Sequence, residues 1–198
     1  MLVTSGMMKR KYKAYSNKNT KLSRDVKTGK LIKIKNGLYE TDAKTSPYLL
    51  AGSIYGPSYI SFEYALSCYG LIPERVYAVT CATFGKKKKK MFNTPFGLFL
   101  YRDVPKEAYQ YEVLLKCEKN YSYQIATPEK ALCDKLYTLS PLKNYKELEN
   151  MLFDDLRIDV FEFENLRADV IEALSTYYHS TNIKLLAGYM KKRKEKLI

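Results

Sequence analysis

The pattern of apolar and polar residues predicts helices in the first part of the chain. In the stretch GPSYISFEYALSCYGLIPE, apolar residues recur at positions i, i+3, i+4 and i+7, namely Phe62, Ala65, Leu66 and Tyr69. This spacing places the four side chains on one face of a helix. Ser61 suits its N-cap and Gly70 suits its end. An earlier helix is predicted over residues 46–56, SPYLLAGSIYG, where Ser46 and Pro47 suit the cap and the first turn.

A further helix is predicted to begin sharply in the sequence TPEKALCDKLYTL. Thr127 suits the N-cap, Pro128 suits the first helical position, and Glu129 complements the positive end of the helix dipole. Lys130 and Asp134 stand one helical turn apart and can form an ion pair. The pattern beyond this helix is mostly helical up to the end of the chain, with FENLRADVIEALSTYY and TNIKLLAGYMKKRKEKLI as the clearest runs.

Residues 76–126 follow a different pattern, which predicts strands. VYAVTCATF is typical of a buried strand, and KKKKKMFNTPFGLFLYR predicts two strands around an Asn-Thr-Pro-Phe-Gly turn. YEVLLKCEKNYSYQIAT predicts another strand pair, which turns around residues 118–120. The middle of the chain is therefore expected to be β-rich.

The first 44 residues predict a separate basic unit. NTKLSRDVKTGK predicts a short helix that is capped by Asn19 or Thr20 and ends at Gly29. KLIKIKNGLYE then predicts a β-hairpin around the Asn36-Gly37 turn. A helix followed at once by a tight basic hairpin is typical of the end of a winged helix-turn-helix. The alternative for this segment is a disordered basic arm.

We therefore expect an α+β protein with two domains. Residues 1–44 are predicted to form a short winged-helix-like unit, abbreviated because only about thirty residues precede the hairpin. The boundary lies near Lys44, where the composition shifts from basic to apolar. Residues 45–198 are predicted to form a mixed α/β domain with a β-rich middle and a helical C-terminus, and to fold without the first 44 residues.

Positive charge is concentrated in two places along this 198-residue chain, whose formal net charge is +13. Twelve Lys or Arg against three acids give residues 1–44 a net charge of +9, and the run of five lysines at 86–90 adds +5. The rest of the chain is nearly neutral. This asymmetry indicates a binding surface, and nucleic acid is a usual partner of so basic a chain.

The predicted helix of the N-terminal unit supplies the candidate DNA-reading face. Leu22 and Val26 lie on one side of it, and Lys21, Arg24 and Lys27 lie on the opposite side. We expect this basic face to enter the major groove while the hairpin contacts flanking phosphates. The predicted DNA-binding residues are Lys21, Arg24, Lys27, Lys30, Lys33, Lys35 and Asn36. A second possible contact with nucleic acid is the lysine run Lys86, Lys87, Lys88, Lys89 and Lys90. The alternative for this run is a solvated loop that contacts no ligand.

The sequence shows no convergent set of catalytic or metal-binding residues. His179 is the single histidine and lies near a predicted helix end. Gly52-Ser53 is similar to the opening of a nucleotidyltransferase site, but a single Glu63 follows it where such a site needs paired aspartates. The four cysteines, Cys68, Cys81, Cys117 and Cys133, lack the paired spacing of a zinc site and are expected to be reduced and mostly buried. We expect no enzyme activity, no metal and no cofactor.

Membrane association is also not expected. The longest apolar stretches are about nine residues, whereas a bilayer-spanning helix needs roughly 20. The N-terminal sequence MLVTSGMMKRKYKAYS places its apolar residues before its charges, which is the wrong order for a secretory signal. A cytoplasmic location is therefore predicted.

Two motifs together resemble the AbiEi-like antitoxin family of type IV toxin–antitoxin systems. GPSYISFEYALSCYGLIPERVYAVTCAT is similar to the family's YIS-x-x-x-AL-x-x-x-GLI helix, and IATPEKALCDKLY is similar to its A-x-PEKAL-x-D helix. KNGLYE matches the x-GLY strand that ends the family's N-terminal winged helix. The resemblance covers roughly residues 30–190. The matching residues are interpreted as fold-defining: Tyr59, Ser61, Ala65, Leu66, Gly70, Leu71, Pro128, Glu129, Lys130 and Asp134.

The resemblance implies two activities. One is repression of the protein's own operon, through binding of inverted repeats in double-stranded DNA at its promoter. The other is neutralisation of a nucleotidyltransferase-like toxin encoded alongside, without a stable complex. The alternative is an interaction module that blocks a toxin by contact, or binds RNA, without sequence-specific DNA binding.

Overall fold

The computed structural model describes residues 1–195, and over these residues the chain is an α+β protein with two sheets. The N-terminal part contains the elements β1 (Leu2–Thr4), α1 (Ser5–Lys11), α2 (Lys18–Lys27), β2 (Ile32–Lys35) and β3 (Leu38–Glu40). Its strands form an antiparallel sheet in the order β1-β3-β2. The predicted hairpin is confirmed, and Gly37 adopts a φ of 84° in its turn, a conformation that favours glycine.

The start of this unit differs from the prediction in two respects. β1 and α1 were not predicted, because residues 1–18 show little apolar periodicity. α2 begins earlier than expected, since Asn17 is its cap: the Oδ1 atom of Asn17 accepts a hydrogen bond from the Thr20 amide at 3.0 Å. Asn19 and Thr20, the predicted caps, lie inside the helix.

A small hydrophobic core holds the helices and the sheet of this part together. It consists of Val3, Met8, Tyr12, Leu22, Leu31 and Tyr39. Each of α1, α2 and the three-stranded sheet contributes at least one of these side chains, so burial of their apolar surface fixes α2 relative to the hairpin.

The first motif folds as a strand followed by a helix. A 3₁₀ turn (Pro47–Leu50) and a short α3 (Ala51–Ile54) replace the single helix predicted over residues 46–56. They are followed by β4 (Tyr59–Ile60) and α4 (Phe62–Cys68). Ser61 occupies the N-cap position of α4 without bonding to the helix.

The middle of the chain is β-rich, as predicted. It contains β5 (Val79–Thr83), β6 (Lys90–Thr94), β7 (Gly97–Asp103), β8 (Val113–Glu118) and β9 (Tyr121–Ala126). With β4 they form a mixed sheet in the order β6-β7-β5-β4-β9-β8. Both predicted hairpins, β6–β7 and β8–β9, are confirmed as antiparallel pairs. β5 runs parallel to β7, and β4 runs parallel to β9, so the short strand of the first motif joins the two halves of the sheet.

The C-terminal part is helical. Its helices are α5 (Pro128–Tyr137), α6 (Tyr145–Glu149), α7 (Val160–Glu164), α8 (Ala168–Tyr178) and α9 (Thr181–Glu195), with a π-helical turn over Asn150–Asp155. The predicted start of α5 is confirmed, because the Thr127 hydroxyl accepts the Lys130 amide at 3.3 Å. The run FENLRADVIEALSTYY is divided between α7 and α8. The last predicted run continues to residue 198, and its final three residues lie outside the described part.

The hairpin β2–β3 connects the two parts of the protein through a second buried face. Ile34 and Leu38 are buried in the larger core, on the side of the hairpin away from the small core. Lys35 donates a hydrogen bond to the carbonyl of Ile54. Tyr121 in β9 donates one to the carboxylate of Glu40 at 2.9 Å. The hairpin is therefore clamped on both faces. Across residues 1–195, no helix combines the length and apolar character that crossing a membrane requires.

Candidate nucleic-acid interface

The outward face of α2 is polar and basic. Its exposed residues are Asn19, Thr20, Ser23, Arg24 and Lys27. At about 100° per residue, these five positions span about 140° of the helix surface. Leu22 lies on the opposite side, in the small core. Amide and hydroxyl groups can hydrogen-bond to base edges, and the two cations can pair with phosphates or with guanine. The two cations were predictable from the sequence, whereas the three uncharged residues beside them carry no charge signal that would single them out.

Lys21 lies apart from Arg24 and Lys27, at the flank of α2. Its ammonium is 2.7 Å from the Oδ1 atom of Asp25 and lies over the rings of Tyr12 and Tyr15, at 5.6 and 5.4 Å from their centroids. Its side chain is 20% exposed. The expected face of three outward cations is thus reduced to two, because the buried side of α2 extends to Asp25. In this arrangement Lys21 ties α2 to the preceding turn.

Asp25 forms a hydrogen-bonded cluster with Tyr12 and Lys21 on the buried side of α2. Hydrogen bonds from the Lys21 ammonium and from the Tyr12 hydroxyl keep the pKa of Asp25 below its usual range. Burial, together with the bond to the Asp25 carboxylate, raises the pKa of Tyr12 to about 12. At neutral pH the carboxylate is therefore ionised and the phenol is protonated, which is the combination that both hydrogen bonds need.

The other predicted contacts are divided between the surface and the interior. Lys30, Lys33 and Asn36 are exposed, at the end of α2 and along the hairpin β2–β3. Lys35 is partly buried, and its ammonium donates a hydrogen bond to the carbonyl of Ile54. The hairpin thus offers Lys33 and its Asn36 tip to a ligand, while Lys35 holds the hairpin on the second part of the protein.

Most of the acidic charge of residues 1–44 is hidden. Asp25 and Glu40 are 6% and 0% exposed, which leaves Asp42 as the exposed member of the three acids. Glu40 accepts hydrogen bonds from Tyr121 at 2.9 Å and from the Thr41 amide at 2.8 Å. The exposed charges of this unit are therefore ten Lys or Arg against one acid, so its outward surface is almost entirely basic.

The lysine run of residues 86–90 is partly anchored. The amides of Lys86 and Lys87 donate to the Asp103 carboxylate, and the Lys86 ammonium lies 5.2 Å from the centroid of the Tyr55 ring. Lys88 and Lys89 are exposed, and Lys90 is the first residue of β6. The run therefore begins as an ordered loop and ends in a strand.

The two motifs meet in a buried polar network around Asp134. One oxygen of its carboxylate, Oδ2, accepts hydrogen bonds from Ser61 at 2.6 Å and from Tyr59 at 2.9 Å. The other, Oδ1, accepts from Lys130 at 2.9 Å and from Tyr178. Lys130 and Asp134 are both 0% exposed, so the predicted pair across one helical turn exists but is enclosed in the core. The network joins β4, α5 and α8, and Tyr178 is a member that no sequence motif indicated.

The remaining motif residues lie in packing or capping positions. Ala65, Leu66 and Leu71 are buried, Gly70 has a φ of 72° just after α4, and Pro128 is the first residue of α5. Glu129 is bonded to the Arg167 side chain through Nε at 3.0 Å and to the Arg167 amide at 3.1 Å. The Arg167 contact holds the start of α8 against α5.

Residues considered for other chemistry do not converge with these sites. His179 follows α8 as its C-cap, with a φ of 49°. Cys81 and Cys133 are buried, while Cys68 and Cys117 are exposed. The expectation that the cysteines are mostly buried is therefore wrong for two of the four. Cys68 is the last residue of α4 and lies at the surface, and Cys117 lies on the edge strand β8.

Comparison with known proteins leaves the interface to be interpreted from its own geometry. No protein-family model matches the chain, and no curated protein matches its sequence. The resemblance to AbiEi-like antitoxins stays a prediction from the motif residues.

Proposed function

We propose that this protein is a DNA-binding repressor of its own operon and the antitoxin of a type IV toxin–antitoxin system. The observation that carries the DNA-binding proposal is the exposed face of α2, which combines three hydrogen-bonding side chains with Arg24 and Lys27 and carries no acid. A polar, basic helix face that stands on its own small core has the chemistry that a duplex groove requires.

The hairpin β2–β3 supplies the second contact in this proposal. It follows α2 directly, and burial on two faces holds it in place. With α2 in the major groove, Lys30 and Lys33 are available for the flanking phosphates, and Asn36 at the tip can donate to a phosphate oxygen. Phosphate contacts fix the register of the protein on DNA, and the α2 face reads the sequence.

The antitoxin part of the proposal is supported by the motif resemblance. Its two helical motifs lie 50 or more residues apart in sequence, and the Asp134 network brings Tyr59 and Ser61 of the first against Lys130 and Asp134 of the second. The partner in this role is a nucleotidyltransferase-like toxin encoded alongside. The test is whether expression of this protein restores growth to cells that express the adjacent toxin gene.

DNA binding is tested by a salt titration on a duplex from the protein's own promoter. Each phosphate neutralised contributes about −0.9 to the log–log slope of affinity against salt. Replacing Arg24 and Lys27 with alanine is expected to flatten the slope by about 1.8 if both contact phosphates. The matched control replaces Lys146 and Lys184, two exposed lysines on α6 and α9, and should leave the slope unchanged.

Three further variants distinguish the contacts of α2 with base edges, the role of Lys21 in stability, and the contribution of the second basic patch. Ser23→Ala is expected to weaken sequence preference by about 0.5–1.5 kcal/mol at one operator position, with little change in slope. Lys21→Ala is expected to lower stability, because it leaves the buried Asp25 carboxylate with less compensation. Replacing the lysine run 86–90 tests the second basic patch. If the wild-type protein does not bind its promoter, the repressor proposal is wrong and the interaction-module alternative stands.

A further inference from the structure

A basic cleft separate from α2 lies where β6 and β7 meet α4 and α5. Its volume is about 440 Å³, within the range of small-molecule sites. Four cationic residues line it, Lys89, Lys90, Arg102 and Lys135, against the single carboxylate of Glu63. These side chains come from the lysine run, from β7 and from two helices, so the cleft is assembled by the fold of the larger sheet and its neighbours.

The loop that delivers the two lysines is fixed by the carboxylate of Asp103. One oxygen of this carboxylate accepts the amides of both Lys86 and Lys87 at 2.7 Å, and the other accepts the Thr83 hydroxyl at 2.6 Å. Lys87 turns the chain with a φ of 58°. Lys90 then enters β6, where it is paired with Tyr101 of β7. The backbone that carries Lys89 and Lys90 along the wall of the cleft therefore has an ordered support.

The cationic charge in the cleft exceeds what Glu63 can neutralise. Its carboxylate is already shared by Arg102 at 3.1 Å and Lys135 at 2.7 Å. Arg102 uses one of its terminal nitrogens in this pair, so further guanidinium donors stay available. Within residues 1–194, Lys89 and Lys90 form no ion pair. Four cations and one carboxylate give the lining of the cleft a net charge of +3, which favours binding of an anion.

We propose that this cleft binds a short polyphosphate chain, such as the triphosphate of a nucleotide. A triphosphate carries about as much negative charge as the cleft has in excess, and its closely spaced oxygens can accept from several donors of one lining. The bound chain would contact Lys89, Lys90 and the free donors of Arg102 and Lys135. This site uses none of the α2 residues, so the inference goes beyond the proposed DNA binding and stands or falls separately.

The experiment is calorimetric titration of the full chain with sodium tripolyphosphate in about 0.1 M salt, where unspecific surface attraction is largely screened. Sodium sulfate at equal ionic strength serves as the comparison anion. Wild type is expected to bind tripolyphosphate and to show no saturable binding of sulfate. Lys89→Ala/Lys90→Ala is expected to weaken binding at least about ten-fold, since two charge-assisted contacts are lost. Lys89→Arg/Lys90→Arg should retain it.

The matched control is Lys87→Ala/Lys88→Ala, which removes the same charge from the same run outside the cleft lining. It is expected to change the affinity less than about two-fold, as expected for screened charges. An equal loss in both double variants would show a diffuse charge effect and overturn the site. So would the absence of wild-type binding. If Lys89→Ala/Lys90→Ala instead abolishes duplex binding and leaves tripolyphosphate binding intact, the cleft serves DNA and the proposal is wrong.

Discussion

Asparagine at position 134 removes the negative charge that is paired with Lys130 inside the larger core. In the native protein both side chains are 0% exposed, and their atoms Nζ and Oδ1 are 2.9 Å apart. The same carboxylate also accepts hydrogen bonds from Tyr59, Ser61 and Tyr178. Asp134→Asn keeps the shape and one acceptor oxygen, but it places an NH₂ group among donors and leaves a buried ammonium without its counter-charge.

The expected loss of stability is large. Breaking a buried ion pair by neutralising one partner costs about 3–5 kcal/mol, and each buried donor left without an acceptor costs about 1–3 kcal/mol. We therefore expect Asp134→Asn to lower the free energy of unfolding by about 4 kcal/mol. For a chain of this size, that corresponds to a fall of about 8–16 °C in melting temperature.

Urea unfolding followed by circular dichroism measures this change, with two variants for comparison. Glu74→Gln makes the same chemical substitution in the exposed pair with Arg157, at 2.6 Å, and should cost less than about 1 kcal/mol. Lys130→Met added to Asp134→Asn removes the unpaired ammonium, so the double variant should be more stable than Asp134→Asn alone. A loss below about 1 kcal/mol for Asp134→Asn would refute the view that a buried charge pair organises this core.

Three further predictions concern the whole chain. The fragment of residues 45–198 should unfold cooperatively, but with about 3–6 kcal/mol less stability than the full chain, because it lacks Ile34 and Leu38, the two hairpin side chains buried in the larger core. Thermal unfolding of the fragment measures this, and the absence of a cooperative transition would contradict it. Burial, reinforced by the charge of Asp134, raises the pKa of Tyr178 and of Tyr59 well above the ordinary value. Above about pH 10 the unfolded chain releases phenolic protons that the folded chain retains, so the free energy of unfolding should fall as pH rises. Tyr178→Phe should reduce that fall by up to about 1.4 kcal/mol per pH unit. Unfolding curves of both proteins at pH 9–11 measure the difference. Finally, a thiol reagent should modify two cysteines in the native protein, while Cys81 and Cys133 should react after unfolding, and early loss of all four thiols would contradict the buried placement.

Local patterns in the sequence predicted most elements of the larger sheet and the start of α5. The hairpins β6–β7 and β8–β9 depend on neighbouring residues and short turns, so periodicity and turn chemistry are sufficient to identify them. The strand β1 has three residues and pairs with β3 more than thirty residues later, so no local signal indicates it. β4 was missed for the same reason, because two residues in a central position carry no recognisable alternation.

The candidate interface was predictable in its charge and not in its contacts. A helical wheel gives the angle of Lys21, but it does not show that Tyr12 and Tyr15 from the preceding turn lie beside it. Likewise, the spacing of Lys130 and Asp134 predicts a pair, whereas the third partner, Tyr178, is 44 residues from Asp134 and enters through tertiary packing. Non-local contacts of this kind decide whether a polar residue is free to contact a ligand or stabilises the fold through internal hydrogen bonds.

The doubly buried hairpin restricts how this architecture can be recombined. Transplanting residues 1–44 onto another scaffold would expose Ile34 and Leu38 to water, so the unit is not an interchangeable module. The outward side chains of α2 touch neither core and can be exchanged one at a time without disturbing the fold. Among relatives of this chain, we expect divergence to accumulate on that helix face while positions 34 and 38 stay apolar. An alignment of such sequences would reveal that contrast directly.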